Sequence, residues 1–285
     1  MTDGIDTATE RLYRSVVESP LHGPFIRRVD ELCAETSPAA WSRDAVLVIV
    51  PGASYREIPS SGVDGRFVRD EAERMGCATD LVPVSSTGTL RQNARIIADW
   101  LSAQPDRPVI LTSLSKGGPD LKTALAEPDA KHAFRNVKAW ISLCGLLDGT
   151  PIADWVLSRS PAPSLIRHYY RLRGRNLDFM DELRYRAGGP LDSPLRLPPH
   201  IRLISVAGFP LRQHLTRRAA RRCHEHLERF GPNDGALVLA DACALPGLIY
   251  PVWGADHYLQ PEPEIRDVRA LMRAILRYLD ETLDR

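Results

Sequence analysis

The sequence lacks any pairing that would make its cysteines structural. Cys33, Cys77, Cys144, Cys223 and Cys243 are odd in number, widely scattered and form no C-x-x-C, which argues against a disulfide framework and a cysteine-based zinc site. Such thiols point to a reducing compartment, and a cytoplasmic location is expected. Charge of one sign is also missing. With 37 Lys+Arg against 36 Asp+Glu the formal net charge is +1, so no global field gathers nucleic acid or an anionic membrane. No stretch approaches the ~18 uninterrupted apolar residues of a membrane span, and the first residues carry Asp3, Asp6 and Glu10 without an apolar core. Neither a span nor a signal peptide is expected. No internal repeat is visible, which removes solenoids and propellers. No G-x-G-x-x-G follows a strand and no G-x-x-x-x-G-K-[ST] occurs, so a phosphate cradle for a dinucleotide or nucleoside triphosphate is absent and no cofactor is expected.

What is present is alternation. The 285 residues, 44% hydrophobic and 26% charged, are ordinary for a globular protein able to bury a large core. Short apolar, β-branched runs recur at Ala45 to Val50, Ala78 to Val84, Val109 to Thr112, Val137 to Cys144, Ile201 to Ala207 and Leu248 to Trp253. Several show no in/out alternation, as expected of parallel strands covered on both faces. Helical patterns separate them at Asp64 to Met75, Thr89 to Leu101 (with Thr89 and Gln92 as a capping box), Leu211 to Leu227 and Ile265 to Leu283. The pattern predicts a doubly wound, mostly parallel α/β sheet flanked by helices. Two segments fall outside it. Residues 1–42 read as an N-terminal helical arm, and residues 148–200 as a helical cap inserted into a core formed by 43–147 and 201–285.

Ligands in such sheets bind beyond the carboxyl ends of the strands. After the third run stands Ser113-Leu114-Ser115-Lys116-Gly117, the small-x-Ser-x-Gly form of a tight strand-to-helix turn that would lift the Ser115 hydroxyl clear of the sheet. Read alone, Ser115 fits an ordinary helix N-cap equally well. The second hydroxyl, Ser113, should point into the sheet.

At this point the chain resembles the α/β-hydrolase superfamily, over roughly residues 44–285 in order of elements. The resemblance implies Ser115 as nucleophile, Asp234 in Asn233-Asp234-Gly235 as acid, and His257 in Gly254-Ala255-Asp256-His257 as base, in the family's chain order. Asp241 and Asp148 remain rivals for the acid. Asp256 stands too close in sequence to His257 to orient its ring. The resemblance further implies an oxyanion hole from the backbone of Lys116 and of Gly52 or Ala53 in Val50-Pro51-Gly52-Ala53-Ser54. The chain departs from many members in having Ser113 for the first glycine of the elbow, Pro51-Gly52 for His-Gly, and no evident pair of opening antiparallel strands. The implied activity is hydrolysis of a carboxylic ester or thioester in a small-molecule acyl substrate. Acyl transfer and a non-catalytic scaffold on the same fold are the alternatives, and a homo-oligomer is compatible with the sequence.

Other constellations have plainer readings. His214, His224 and His226 lack a matching carboxylate or cysteine pattern for a metal. Arg212, Arg217, Arg218, Arg221, Arg222 and Arg229 form an arginine-rich face without aromatic interleaving, so a solvated surface is expected rather than a phosphate or RNA site. In the insert, Trp155, Leu165, Ile166, Tyr169, Tyr170 and Phe179 suggest an apolar roof over the site.

Overall fold

The computed structural model describes residues 3–35, 40–158, 178–259 and 267–283. Six strands, β1 (Val46–Val50), β2 (Ala78–Leu81), β3 (Val109–Leu114), β4 (Val137–Leu143), β5 (Arg202–Phe209) and β6 (Leu248–Trp253), form one sheet in the order β2-β1-β3-β4-β5-β6. Every pairing is parallel. The order reverses between β1 and β3, and the crevice beyond their carboxyl ends is the topological switch point at which such sheets bind ligands.

Two helical layers explain why the strands read as continuous apolar runs. Leu47 and Ile49 of β1 face a core shared with α1 (Asp3–Val17), α2 (Gly23–Ala34), α3 (Arg66–Arg74) and the C-terminal helix. Val48 and Val50 face the opposite core, built with α4 (Leu90–Ser102), α5 (Gly117–Leu125) and α6 (Ala130–Ala133). All six positions of β3 are buried. In the arm, Val16, Phe25, Ile26, Val29 and Leu32 join the first core, and the Tyr13 ring lies 4.7 Å from that of Trp253.

The remaining described helices are α7 (Pro151–Ser158) and α8 (Asp178–Glu182) in the segment after β4, α9 (Arg218–Leu227), α10 (Leu239–Ala244) and α11 (Val268–Thr282). Leu165, Ile166, Tyr169, Tyr170 and Ile265 lie outside the described residues. Thr89 caps α4 by accepting from Gln92 N–H, and Asp267 caps α11 by accepting from Arg269 N–H.

Two elements differ from the sequence pattern. The second strand stops at Leu81, because Pro83 has no N–H to extend the ladder; only Val82 N–H still reaches Ile49 O, at 2.9 Å. The Leu211 to Leu227 pattern is broken: a 3-10 turn covers Arg212–His214, and α9 begins only at Arg218. His214 Nδ1 accepts Leu211 N–H at 3.0 Å, a local side-chain bond that closes the turn and competes with the helix.

Candidate active site

Ser115 is the first of the two residues that connect β3 to α5. Its φ of +49° is left-handed, a conformation that costs a side-chain-bearing residue about 1–2 kcal/mol. Backbone bonds hold it there. Ser115 N–H donates to Leu143 O at 3.0 Å, and its carbonyl accepts from Gly118 N–H at 3.1 Å and Leu146 N–H at 3.3 Å. The small residues that follow are required by close approach. A Cβ at Gly117 would stand 2.3 Å from Val50 O, and one at Gly118 would stand 3.0 Å from Gly145 Cα. Ser113 turns the other way: it is fully buried and its Oγ accepts from Trp140 Nε1–H at 2.8 Å.

Two turns bring the partners to the same rim. Asn233 Oδ1 accepts Gly235 N–H at 3.0 Å, and Gly235 takes a φ of +99°, so the Asn-Asp-Gly turn closes with Asp234 facing inward. Asp234 Oδ1 accepts from Ala236 N–H at 2.9 Å and Leu237 N–H at 2.7 Å, while Oδ2 faces His257 Nδ1 at 3.0 Å. The Asp234 carbonyl also accepts His257 N–H at 2.9 Å, tying the two turns together. His257 Nε2 lies 2.9 Å from Ser115 Oγ. A carboxylate can only accept, so the proton belongs on Nδ1 and the Nε2 lone pair faces the hydroxyl. Burial opposes the charged ring, yet the Asp234 charge and hydrogen bond, helped by Asp256, outweigh it and raise the His257 pKa above its ordinary value.

The rival carboxylates are engaged elsewhere. Asp148 accepts from the buried Lys122 at 2.7 Å. That ammonium also donates to Leu147 O and Leu191 O, fastening the segment after β4 to α5. Asp241 accepts from the Tyr185 hydroxyl at 3.1 Å. Asp256 accepts from Arg217 at 2.6 Å and from Tyr258 N–H at 3.0 Å, and the Arg217 guanidinium lies over the Tyr258 ring. Arg217 therefore braces the histidine loop, a contact that no local pattern in the sequence could signal. Cys144, at the end of β4 with a φ of +46°, places its Sγ, an Asp234 carboxylate oxygen and a His257 nitrogen within 4.8 Å of one another. Among the described residues this is the one group of ligand-type atoms close enough to hold an ion. The fit is poor. The Asp234 oxygens and His257 nitrogens are already engaged with each other, with backbone N–H groups and with Ser115, and burial raises the Cys144 thiol well above its usual pKa. Of the three other histidines considered, His214 is used in its turn, His226 stacks on Trp155 at 4.6 Å, and His224 is buried against Glu228.

The backbone donors divide unequally. Gly52 N–H is committed to Val63 O at 2.9 Å, which removes it as an oxyanion donor. Its use is spatial, since a Cβ there would lie 2.9 Å from Val63 Cβ and 3.4 Å from Ser115 Cβ. The N–H groups of Ala53 and Lys116 have no acceptor among the described residues. Ser54, with a φ of +57°, anchors the Ala53 turn by donating its N–H to Ser86 O at 2.8 Å. Phe179 of α8 packs with Leu90, Ala153, Leu183 and Leu191, with Ala53 against that cluster, and its ring lies over Lys116 Nζ at 5.5 Å. Lys116 is itself buried, paired with Asp120 at 2.7 Å. The i,i+4 spacing of Lys116 and Asp120 was the available signal for that pair.

No protein-family model matches the chain, and no curated protein does. Solved structures do. A metagenomic carboxyl esterase, MGS0156, superimposes over 88% of this chain and 80% of its own with 25% identity and a TM-score of 0.67. The mature Bacillus licheniformis lipase BlEst2 matches over 85% and 91%, at 20% identity and a TM-score of 0.52. No helix among the described residues is long and apolar enough to cross a membrane. With its parallel sheet, strand order and these structural relatives, the chain belongs to the α/β-hydrolase superfamily.

Proposed function

We propose that the protein is a serine hydrolase that cleaves a carboxylic ester or thioester through an acyl-enzyme on Ser115. The observation that carries this reading is one continuous row of hydrogen bonds: Ser115 Oγ to His257 Nε2 at 2.9 Å and His257 Nδ1 to Asp234 Oδ2 at 3.0 Å, at the switch point of the sheet. That the structural relative MGS0156 is a carboxyl esterase supports it.

The chemistry follows from the geometry. Ser115 Oγ attacks the acyl carbon as His257 Nε2 takes its proton, and the carbonyl electron pair moves onto oxygen. Asp234 holds the tautomer and stabilises the imidazolium that forms. The N–H groups of Ala53 and Lys116 donate to the oxyanion. Collapse expels the alcohol or thiol, which leaves with the proton returned by His257. Water then attacks the acyl-enzyme, with His257 as base a second time, releasing the acid and restoring Ser115. Phe179, with Ala53 packed against its cluster, makes part of the wall near the site apolar, which favours an acyl or alkyl group over a sugar or a charged one.

The test is turnover of p-nitrophenyl esters and acyl thioesters of graded chain length by wild type and Ser115→Ala. Ser115→Ala should lower kcat by about 10⁴-fold or more, by analogy with other Ser-His-Asp enzymes, while the thermal melt stays close to wild type. Hydrolysis that survives the substitution would refute the assignment.

A further inference from the structure

The proposed oxyanion donors come from different parts of the chain. Lys116 N–H belongs to the elbow after β3, Ala53 N–H to the loop after β1. An oxyanion hole works only if its donors stand 2.7–3.1 Å from one point before the substrate arrives, so something must fix the separation of the two segments. Between them lies a buried polar path. Lys116 Nζ donates to both oxygens of Asp120, at 2.7 and 2.9 Å. Asp120 Oδ2 accepts from Asn93 Nδ2 at 2.8 Å. The same Asn93 clamps the backbone of Ser85, accepting its N–H at 3.0 Å and donating to its carbonyl at 3.1 Å. The next residue, Ser86, accepts Ser54 N–H at 2.8 Å, and Tyr55 donates from its hydroxyl to Val84 O at 3.0 Å. The path therefore runs from the elbow, through α5 and α4, to the residue beside Ala53.

These groups are too buried for solvent to do their work. Lys116, Asp120 and Asn93 are each about 1% exposed. A buried ion pair stabilises a fold poorly compared with apolar packing of the same volume, and is better understood where it fixes a geometry. We propose that Asn93 and Asp120 are positioning residues of the oxyanion hole, holding the Lys116 N–H and the Ala53 N–H at a fixed separation through the Lys116 ammonium and the Ser85–Ser86 turn. This inference rests on the proposed serine-hydrolase reading.

The charged groups facing Asp120 are Lys116 on its own helix and Glu182 on α8. Burial pushes the Asp120 carboxyl up to about 6 despite the attraction of Lys116 and the Asn93 bond, and Glu182 adds to the rise.

The experiment compares Asn93→Ala and Asp120→Asn with wild type, each normalised by active-site titration so that unfolded molecules do not count. The expected result is a fall in kcat of about 10- to 100-fold, the cost of misplacing an oxyanion donor, with KM within about twofold. Affinity for a boronic acid that forms a tetrahedral adduct on the serine should fall by a similar factor. A purely structural role would lower the melting temperature and leave kcat per titrated site unchanged. If either single variant fails to fold, Lys116→Met combined with Asp120→Leu removes both charges in favour of apolar groups of similar length, and the same loss is expected. Unchanged kcat and boronate affinity per active site in the folded variants would overturn the proposal. Ser115→Ala run alongside separates the two claims. Activity retained there sinks the hydrolase reading itself, whereas an inactive Ser115→Ala beside fully active Asn93 and Asp120 variants sinks only this one.

Discussion

Left-handed turns are made in two ways in this molecule. Where the chain enters the sheet they use glycine, as at Gly76 before β2 and Gly247 before β6, with φ values of +84° and +104°. Beyond the carboxyl ends of the strands glycine serves as well, as at Gly254 directly after β6 with a φ of +77°, but only on this side does the chain accept the same conformation in residues that carry side chains: Ser54 after β1, Ser115 after β3, Cys144 after β4 and Leu259 after β6. Glycine would relieve each of these. A side chain is kept there at a cost of about 1–2 kcal/mol per residue, and at Ser115 the reason is plain, since only this backbone aims the hydroxyl at His257. The difference teaches where this fold stores strain: in the crevice that holds the proposed chemistry, and not in the turns that merely reverse the chain.

The Asp234 carboxylate is the group that sets the imidazole of the strained rim, so Asp234→Asn should lower kcat by about 10⁴-fold, as when a triad tautomer is lost. Stopped assays on the purified variant decide this, and a loss under tenfold would detach Asp234 from the site. The wild-type pH profile gives a milder test of the same contact. Because Asp234 raises the His257 pKa, the ring stays protonated to a higher pH than a free imidazole. Protonation removes the base, so the acid limb of kcat/KM should fall above the ordinary value of 6.5, and a limb below it would contradict the geometry. Arg217→Met removes the brace on the histidine loop but leaves the hydrogen-bonded row in place. A two- to fivefold fall in kcat is expected with little change in stability, since the pair with Asp256 is half exposed. The smallest effect addresses the strain itself. Gly76→Ala, with nothing within 4 Å of the new methyl, should destabilise by about 1 kcal/mol in urea melts, and Ser115→Gly should change stability by a similar amount in the opposite direction. Shifts of the same sign would end the contrast.

Much of the fold was legible because it rests on runs of adjacent residues. Val46–Val50 and Leu248–Trp253 announce buried parallel strands by the unbroken apolar character that two covered faces require. The elbow was legible for the same reason, since Ser115 and Gly117 meet their constraint within one turn. What could not be read depends on distant pairings. The engagement of Gly52 N–H with Val63 O is set by how the loop after β1 folds back, and the Arg217 brace by the meeting of α9 with the loop after β6. Neither of these has a period or a spacing. The resemblance pointed to Asp234, but Asp148 and Asp241 stayed open as rivals along the chain, because nothing local shows that Lys122 and Tyr185 engage them.

The central claim is that the Ser115 hydroxyl, and no other in the crevice, is the activated nucleophile. Peptide mapping by mass spectrometry after treatment with a fluorophosphonate tests this most directly. The account predicts a single stoichiometric adduct on the peptide that holds Ser115, formed slowly in Asp234→Asn and not at all in Ser115→Ala. An adduct on Ser54 or Ser113, or no adduct on folded protein, would contradict it.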